Sequence, residues 1–334
     1  IGKMMAEKTR IGKYRVLENI GEGGMGKVYK ALHPTLKRSI IIKQLRITSQ
    51  KVLAQRFKRE ARIMIDFRNE NIVQVYDHFR EGTSYYIAME YIDGVGLESL
   101  IKKKKQIHPM AALLILHEVC KGLKYAHDKG VVHRDIKPDN VLISRKGEVK
   151  LVDFGIASAR EDEDDDLTKT GAVMGTPAYM SPEQLTSTKN VDKRSDIYSL
   201  GVMFYKMVTG IRPFPSNFTA EAIHSITRGV YEKPDKLNPG IPKLFKKIIR
   251  KTMNHRIGKR YKDLKYLIKL LSHYIHKFRD QAAINNAIKN YVNAKEEGAA
   301  LETLPVKKRN NPFFVFMVFL LFVSGFSLAG FILY

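Results

Sequence analysis

The sequence predicts an α+β chain in which strands come first, helices follow, and one apolar helix closes the C-terminus. Three observations predict it. Five short runs rich in β-branched and aromatic residues fall between residues 14 and 91. Longer apolar patterns at helical spacing cover residues 51–67, 109–129 and 192–208. Phe313–Tyr334 holds no charged side chain in 22 positions. At 334 residues the chain is long enough for a two-lobed enzyme with an appendage.

Tyr14–Ile20 reads as the first strand. Gly21-Glu22-Gly23-Gly24-Met25-Gly26-Lys27-Val28 follows, and its glycines let a backbone come close to phosphates. The string nearly satisfies the P-loop pattern, but Val28 stands where that motif needs a magnesium-binding hydroxyl. Val28–Leu32 then looks like a second strand, whereas a P-loop or a dinucleotide-binding turn opens a helix. Both points argue against a P-loop hydrolase. Ile40-Ile41-Ile42-Lys43 is a β-branched run ending in a lysine. Residues 51–67 form an amphipathic pattern (Val52, Phe57, Ala61, Met64, Ile65) that carries Glu60. Ile72–Phe79 and Tyr85–Tyr91 read as two more strands, and Gly94 and Gly96 are expected to loosen the chain after them. Lys102–Lys105 is a basic run expected at a solvated helix end. Pro109–Lys129 reads as one long helix, and Val149–Val152 as a short strand leading to Asp153.

Between that helix and that strand lies His133-Arg134-Asp135-Ile136-Lys137-Pro138-Asp139-Asn140; Asp153-Phe154-Gly155 follows at short range. Asp135 can take a proton from an attacking hydroxyl. Asn140 and Asp153 can hold magnesium through hard oxygen ligands, and Lys137 adds positive charge beside the base. The group suits phosphoryl transfer, which depends on positioning and charge neutralisation more than on covalent chemistry. The two strings resemble the catalytic loop and metal-binding triplet of protein kinases. Lys137, two places after the base, is the Ser/Thr form. The resemblance runs from about Tyr14 to Leu271. With Gly-Glu-Gly-Gly-Met-Gly and the paired threonines Thr168 and Thr170, the chain is similar to bacterial Hanks-type (eukaryotic-like) Ser/Thr protein kinases.

This resemblance implies a bilobal protein kinase fold, with a small β-rich N-lobe on a larger helical C-lobe and Mg-ATP between them; manganese is the alternative ion. It assigns ATP binding to Ile20, Gly21, Gly23, Gly26, Val28, Lys43, Glu60, Met89, Glu90, Tyr91 and Leu142. Within that set Lys43 holds the α- and β-phosphates and pairs with Glu60. Val28 and Leu142 pack over and under the adenine, Met89 is the gatekeeper, and Glu90 and Tyr91 form the hinge. Met64 is expected to pack beneath Phe154. Asp135 and Lys137 become catalytic, and Asn140 and Asp153 become metal ligands. The activation segment runs from Asp153 to Ser181-Pro182-Glu183, with Ser181 in place of the commoner alanine. On it, Thr168 and Thr170 are the activating phosphorylation sites, and a phosphate there would engage Arg134. Thr176 is the residue that favours Ser/Thr substrates by contacting Asp135 and Lys137. The acidic run Glu161–Asp166 reads as a solvated loop or, as a sharper alternative, as a competitor for Arg134. Asp196 is expected to hold the catalytic-loop backbone, and Arg260 to pair with Glu183. The activity implied is ATP-dependent phosphorylation of Ser/Thr hydroxyls on proteins, switched on by autophosphorylation. The alternative is a catalytically weak pseudokinase acting as a membrane scaffold. Its support is Ile41, which stands where the family usually has a small alanine and would crowd the adenine.

The chain then divides into an N-terminal extension (1–13), a kinase domain (14–272), a juxtamembrane linker (273–312) that is helical around Ala282–Val292, and a transmembrane helix (313–334). At about 1.5 Å per residue the last segment reaches about 33 Å, enough to cross a hydrocarbon core of about 30 Å. Lys307-Lys308-Arg309 ahead of it predicts a single-pass protein of the cell membrane with its kinase domain in the cytoplasm. That end suits either a tail anchor or a span that leads to an external sensor domain. Gly325 and Ala329 suit helix pairing, and hence a homodimer. The net charge of +24 suits nucleic acid, anionic lipid or acidic substrates. The apolar segment favours membrane lipid, and no nucleic-acid-binding motif is present, so a nucleic-acid partner is not expected. Residues 241–270 alone carry eleven Lys/Arg against one acid, Asp263. Cys120 is the single cysteine, which excludes an internal disulfide; its apolar helical surroundings predict a buried, inert thiol.

Overall fold

The computed structural model describes residues 9–23, 26–45, 61–154, 176–186, 191–276, 278 and 280–294. It has two lobes. The N-lobe is an antiparallel sheet of β1 (Arg10–Ile11), β2 (Tyr14–Gly23), β3 (Gly26–Leu32), β4 (Ser39–Leu45), β5 (Val75–Glu81) and β6 (Ser84–Glu90), in the order β1-β2-β3-β4-β6-β5. Alternation of side chains across a strand divides these residues between two faces. Ile40 and Ile42 join Tyr29, Ala31, Tyr86 and Ala88 in a small outer core with Ile11 and Tyr14. The opposite face carries the cross-strand pairs Val28↔Lys43 and Ile41↔Met89, and Met89 and Ile87 belong to the main core. The strand period alone therefore puts Val28, Ile41, Lys43 and Met89 on one surface. The strand expected from Ile72 starts later, at Val75. Ile72 instead makes a single parallel bridge to Leu151, and Val73 N donates to Leu151 O (2.9 Å). Tertiary pairing with the other lobe draws this apolar stretch away from the sheet.

In the C-lobe, β7 (Gly94–Gly96) pairs with a hairpin of β8 (Val141–Ser144) and β9 (Val149–Leu151). Gly94 and Gly96 thus do not loosen the chain. A Cβ on Gly94 would lie 2.0 Å from Ile143 O, so glycine is what lets β7 close on β8. The helices are α1 (Leu97–Lys104), α2 (Pro109–Asp128), α3 (Pro182–Thr186), α4 (Lys193–Thr209), α5 (Ala220–Arg228), α6 (Pro234–Leu237), α7 (Lys243–Thr252), α8 (Leu264–Ile275) and α9 (Gln281–Asn293).

Helices α2 and α4 form the centre of the lobe. Residues Ala111–Cys120 of α2 and Ser195–Val208 of α4 are buried without a break, polar members included, so both helices are packed on every side. Pro109 opens α2, and His108 accepts from Met110 N (3.3 Å); burial holds the His108 pKa down, which keeps a lone pair on its ring. Asp192 caps α4 by accepting from Arg194 N (2.7 Å), and Gly210 ends it in the left-handed conformation. Cys120 is fully buried, and burial pushes its thiol pKa up, so the inert reading stands.

Two further expectations change. Lys104 is buried: its ammonium donates to Ala294 O (3.3 Å) and lies 5.5 Å over the Tyr291 ring. The helix around Ala282–Val292 is also no loose linker. It runs from Gln281 to Asn293 and buries Ile284, Ala287, Ile288, Tyr291 and Val292, one helical stripe, in the main core. Glu60, Gly155, the acidic run Glu161–Asp166, Thr168, Thr170 and the apolar segment 313–334 lie outside the described residues. Among the described residues no helix is long and apolar enough to cross a membrane.

Candidate active site

The catalytic loop hangs from α4. Asp196 lies in the first turn of that helix, where the helix dipole favours a negative charge. Its carboxylate is 1% exposed and accepts from His133 N (2.8 Å) and Arg134 N (2.8 Å), with His127 Nε2 at 2.7 Å. Arg134 has φ +65°, a left-handed conformation that side chains other than glycine rarely adopt. Its two peptide groups are both held: the N–H by Asp196 and the carbonyl by Gln184 Nε2 (3.0 Å). Gln184 is fixed in turn by Ser181, whose N–H donates to its Oε1 (2.9 Å). Below this frame Glu183 accepts from Arg260 Nη1 (2.6 Å), Arg260 Nη2 (2.8 Å) and Ser195 Oγ (2.6 Å). Burial raises the Glu183 pKa, but the hydrogen bonds and charge of Arg260 outweigh it and leave the carboxyl below its ordinary range.

The loop brings Asp135, Lys137 and Asn140 together. Asp135 Oδ2 accepts from Lys137 Nζ (2.7 Å) and Asn140 Nδ2 (2.9 Å), and Asn140 Nδ2 also donates to Asp135 O (2.7 Å). The β8–β9 hairpin then explains why Asp153 arrives at the same place. Asn140 immediately precedes β8, Asp153 follows shortly after β9, and Val152 N donates to Asn140 O (3.0 Å). Asp153 is itself left-handed (φ +57°), and its Oδ1 lies 2.7 Å from Lys43 Nζ of the other lobe.

His133 ties the two acids together. Burial lowers its pKa, so the ring is neutral. Nε2 lies 3.1 Å from Val152 O, a group that only accepts, so Nε2 carries the proton; Nδ1 is then free to accept from Asp135 N (3.4 Å). Phe154 packs on this imidazole (centroids 4.4 Å) and edge-on to Phe67 (5.9 Å). Met64 lies in the same core.

The remaining nucleotide-site candidates lie in β2, β3, β6 and β8 and just after β6. Val28 is its direct cross-strand partner, and Ile41 faces Met89. Gly21 pairs with Val28, Gly23 pairs with Gly26, and Ile20 is 47% exposed. Gly26 (φ +138°) could carry no side chain, since a Cβ would meet Gln44 O at 1.8 Å. The Glu90 N–H is spent on Gln74 O (2.8 Å), and its carboxylate accepts from Lys150 Nζ (3.1 Å). Tyr91 lies under Lys30 Nζ (4.7 Å), and Leu142 is half-buried in β8. Thr176 opens the turn at Pro177–Tyr179; among the described residues no hydrogen bond joins it to Asp135 or Lys137.

Chemically, the donors suit a hard divalent ion. The Asn140 amide nitrogen is committed to Asp135, which leaves its oxygen as a donor, and Asp153 offers a carboxylate. One amide and one carboxylate leave room for water and phosphate oxygens, the usual magnesium arrangement. Among the described residues no cluster of three or more His, Cys, Asp or Glu side chains suits a softer ion. Sequence reasoning missed the tautomer of His133, the part played by His127, and Gln184. A lone His or Gln in a helical or loop pattern carries no spacing signal that would have exposed them.

Comparison with known proteins adds to this geometry. Residues 14–271 match the protein kinase domain family. A probable serine/threonine-protein kinase of Clostridium perfringens is 36% identical over 272 residues, covering 80% of this chain and 38% of that protein. The probable serine/threonine-protein kinase PknB of Bifidobacterium longum is 34% identical over 315 residues, covering 90% of this chain and 46% of that protein. The serine/threonine-protein kinase PrkC of Bacillus subtilis is 36% identical over 250 residues, 74% and 38% respectively. The chain therefore spans less than half the length of these relatives. The crystal structure of Rad53 1–466 with AMP-PNP superposes with a TM-score of 0.64 at 23% identity, covering 77% of this chain and 64% of that one, which is a likeness of fold.

Proposed function

The chain belongs to the protein kinase domain family, and we propose that it transfers the γ-phosphoryl group of ATP to serine and threonine hydroxyls of proteins. The observation that carries this reading is Asp135 held between Lys137 and Asn140, one hairpin away from Asp153 and its partner Lys43. ATP with a divalent ion supplies the activated phosphoryl group and neutralises its charge when bound. Asn140 and Asp153 would hold the ion, and Lys43 would bind the phosphates. Asp135 orients the substrate hydroxyl and takes its proton at the carboxylate. Lys137 steadies negative charge beside it. The ion is magnesium in this reading, with manganese as the alternative, because both donors are oxygen.

The finer assignments belong to the same proposal. Thr168 and Thr170 are the activating autophosphorylation sites, and Arg134 receives the phosphate. Thr176 favours Ser/Thr substrates. Residues 14–272 form the kinase domain, 1–13 an extension, 273–312 a juxtamembrane segment and 313–334 a membrane-spanning helix. The kinase domain then lies in the cytoplasm against membrane lipid, and helix pairing through Gly325 and Ala329 supports a homodimer. Support for the span is the uncharged run behind Lys307-Lys308-Arg309. A second reading, a scaffold with weak nucleotide binding, is favoured by Ile41 alone, which lies on the Lys43 face opposite Met89.

Incubation with Mg-ATP and a Ser/Thr peptide, beside an Asp135→Asn control, separates the two readings. Transfer by the wild type only, with phosphate mapped to Thr168 or Thr170, is the expected result. A folded wild type that transfers nothing and binds no nucleotide would leave the scaffold in its place.

A further inference from the structure

Glu118 of α2 is 0% exposed and takes no part in the chemistry above. A charge buried so deeply needs partners, and it has four. His117 Nδ1 lies 2.9 Å from Oε1; Asn71 Nδ2 (3.0 Å), Lys121 Nζ (3.2 Å) and Gln281 Nε2 (2.9 Å) all donate to Oε2. These donors come from three parts of the molecule: α2 itself, the loop ahead of β5, and α9. The loop ahead of β5 is tied to β9. Asn71 Nδ2 also donates to Val149 O (3.1 Å), and Asn71 O accepts from Leu151 N (2.8 Å). Leu151 is the last residue of β9, two positions before Asp153.

The α9 end is equally fixed. Gln281 Oε1 accepts from Lys121 Nζ (2.8 Å), which also reaches Glu70 Oε1 (2.6 Å). Farther along, His108 N donates to Tyr291 Oη (3.0 Å), and a Cβ on Gly147 of the β8–β9 turn would meet Asn285 O at 1.9 Å. Helix α9 thus lies against the hairpin that carries the candidate metal ligands. It also lies beyond residues 14–271, the part that matches the family.

We infer that α9 braces the active site from outside the kinase domain, with Gln281 as a positioning residue that acts through Glu118 and Asn71 on β9 and Asp153. The inference rests on the role proposed for Asp153. Removing the Gln281 amide takes one of three donors from a buried carboxylate oxygen. The two left, Asn71 and Lys121, must then shift to cover it, because the low dielectric makes an under-satisfied charge costly. A shift of Asn71 loosens the Leu151 amide. Transfer is sensitive to small misplacements of the groups that position the phosphates. Any partner or pull that lifts α9 from α2 would then slow transfer without touching the site.

The test uses the full chain in detergent with a peptide substrate. Gln281→Ala is compared with Gln281→Glu, which replaces the amide donor to Glu118 by an acceptor, with the exposed control Asn286→Ala, and with Asp153→Asn. Each is read by kcat and KM for ATP, melting temperature, and hydrogen exchange at the Val73 and Leu151 amides. Gln281→Ala should lower kcat about threefold to tenfold and speed exchange at Leu151. Gln281→Glu, which sets an acceptor against Glu118 Oε2, should show both effects at least as strongly, and Asn286→Ala should change neither. A Gln281→Ala protein that melts lower but keeps wild-type kcat and exchange would make α9 a prop only, and would overturn the inference. Full activity in Asp153→Asn would remove the role of Asp153, and the brace would fall with it. An inactive Asp153→Asn beside a kinetically silent Gln281→Ala would discard the brace alone.

Discussion

Asp135 and Asp153 each have a lysine nitrogen at 2.7 Å, yet they are held in different ways. The partners of Asp135 are two and five residues away on the same loop, and that loop is clamped to α4 by Asp196. Its geometry is a property of the C-lobe alone. Asp153 meets Lys43 across the lobes, so its geometry depends on how the two lobes sit. Side-chain exposure follows the same division, 27% for Asp135 and 36% for Asp153. The difference teaches that the proposed base is preorganised within one lobe, whereas the carboxylate proposed for the metal is held by a contact between lobes. Preorganised groups cost no reorganisation at the moment of reaction.

Changes on the two sides should therefore fail differently. The largest effect is expected from Asp135→Asn, which should lower kcat by about 10²–10⁴ with little change in KM for ATP or in melting temperature. Steady-state kinetics and a thermal melt check both. Arg260→Ala should instead cost folding stability, about 3–5 kcal/mol, because it leaves Glu183 buried without its partner; denaturant titration measures it. Lys43→Met should reduce kcat/KM for ATP by about 10², and here KM should rise, which would separate it from the base variant.

A smaller effect is expected with pH. The Glu183 carboxyl ionises below its ordinary range, so its pairing with Arg260 is fully stabilising above about pH 4.3, the ordinary glutamate value. That stabilisation is lost as pH falls from there through the depressed folded value. Melting temperatures recorded from pH 7 down to pH 3 should drop less steeply in Arg260→Ala than in the wild type. The smallest effect is expected from Ile41→Ala, which removes bulk beside Met89 and should tighten nucleotide binding a few-fold by calorimetry.

Much of the site was legible in the sequence because its chemistry is local. Asp135, Lys137 and Asn140 lie within six positions, and one hairpin joins them to Asp153. The shared face of Lys43, Ile41 and Val28 came from the strand pairing in the structure. What stayed hidden depends on partners distant in sequence. Lys104, in a run of four lysines, looks solvated until Ala294 and Tyr291 fold over it. Gly94 looks like slack until Ile143 comes against it. Gln281 and Asn71 lie far apart in the chain and meet only through their shared contact with Glu118.

The most direct test of this division is calorimetry of ATP binding with and without magnesium to Asp135→Asn and Asp153→Asn. Asp135→Asn should keep the wild-type gain in affinity from magnesium while transferring no phosphate, and Asp153→Asn should lose that gain. If Asp135→Asn loses the magnesium gain, or Asp153→Asn keeps it, the separation between a fixed base and a carboxylate released to metal is contradicted.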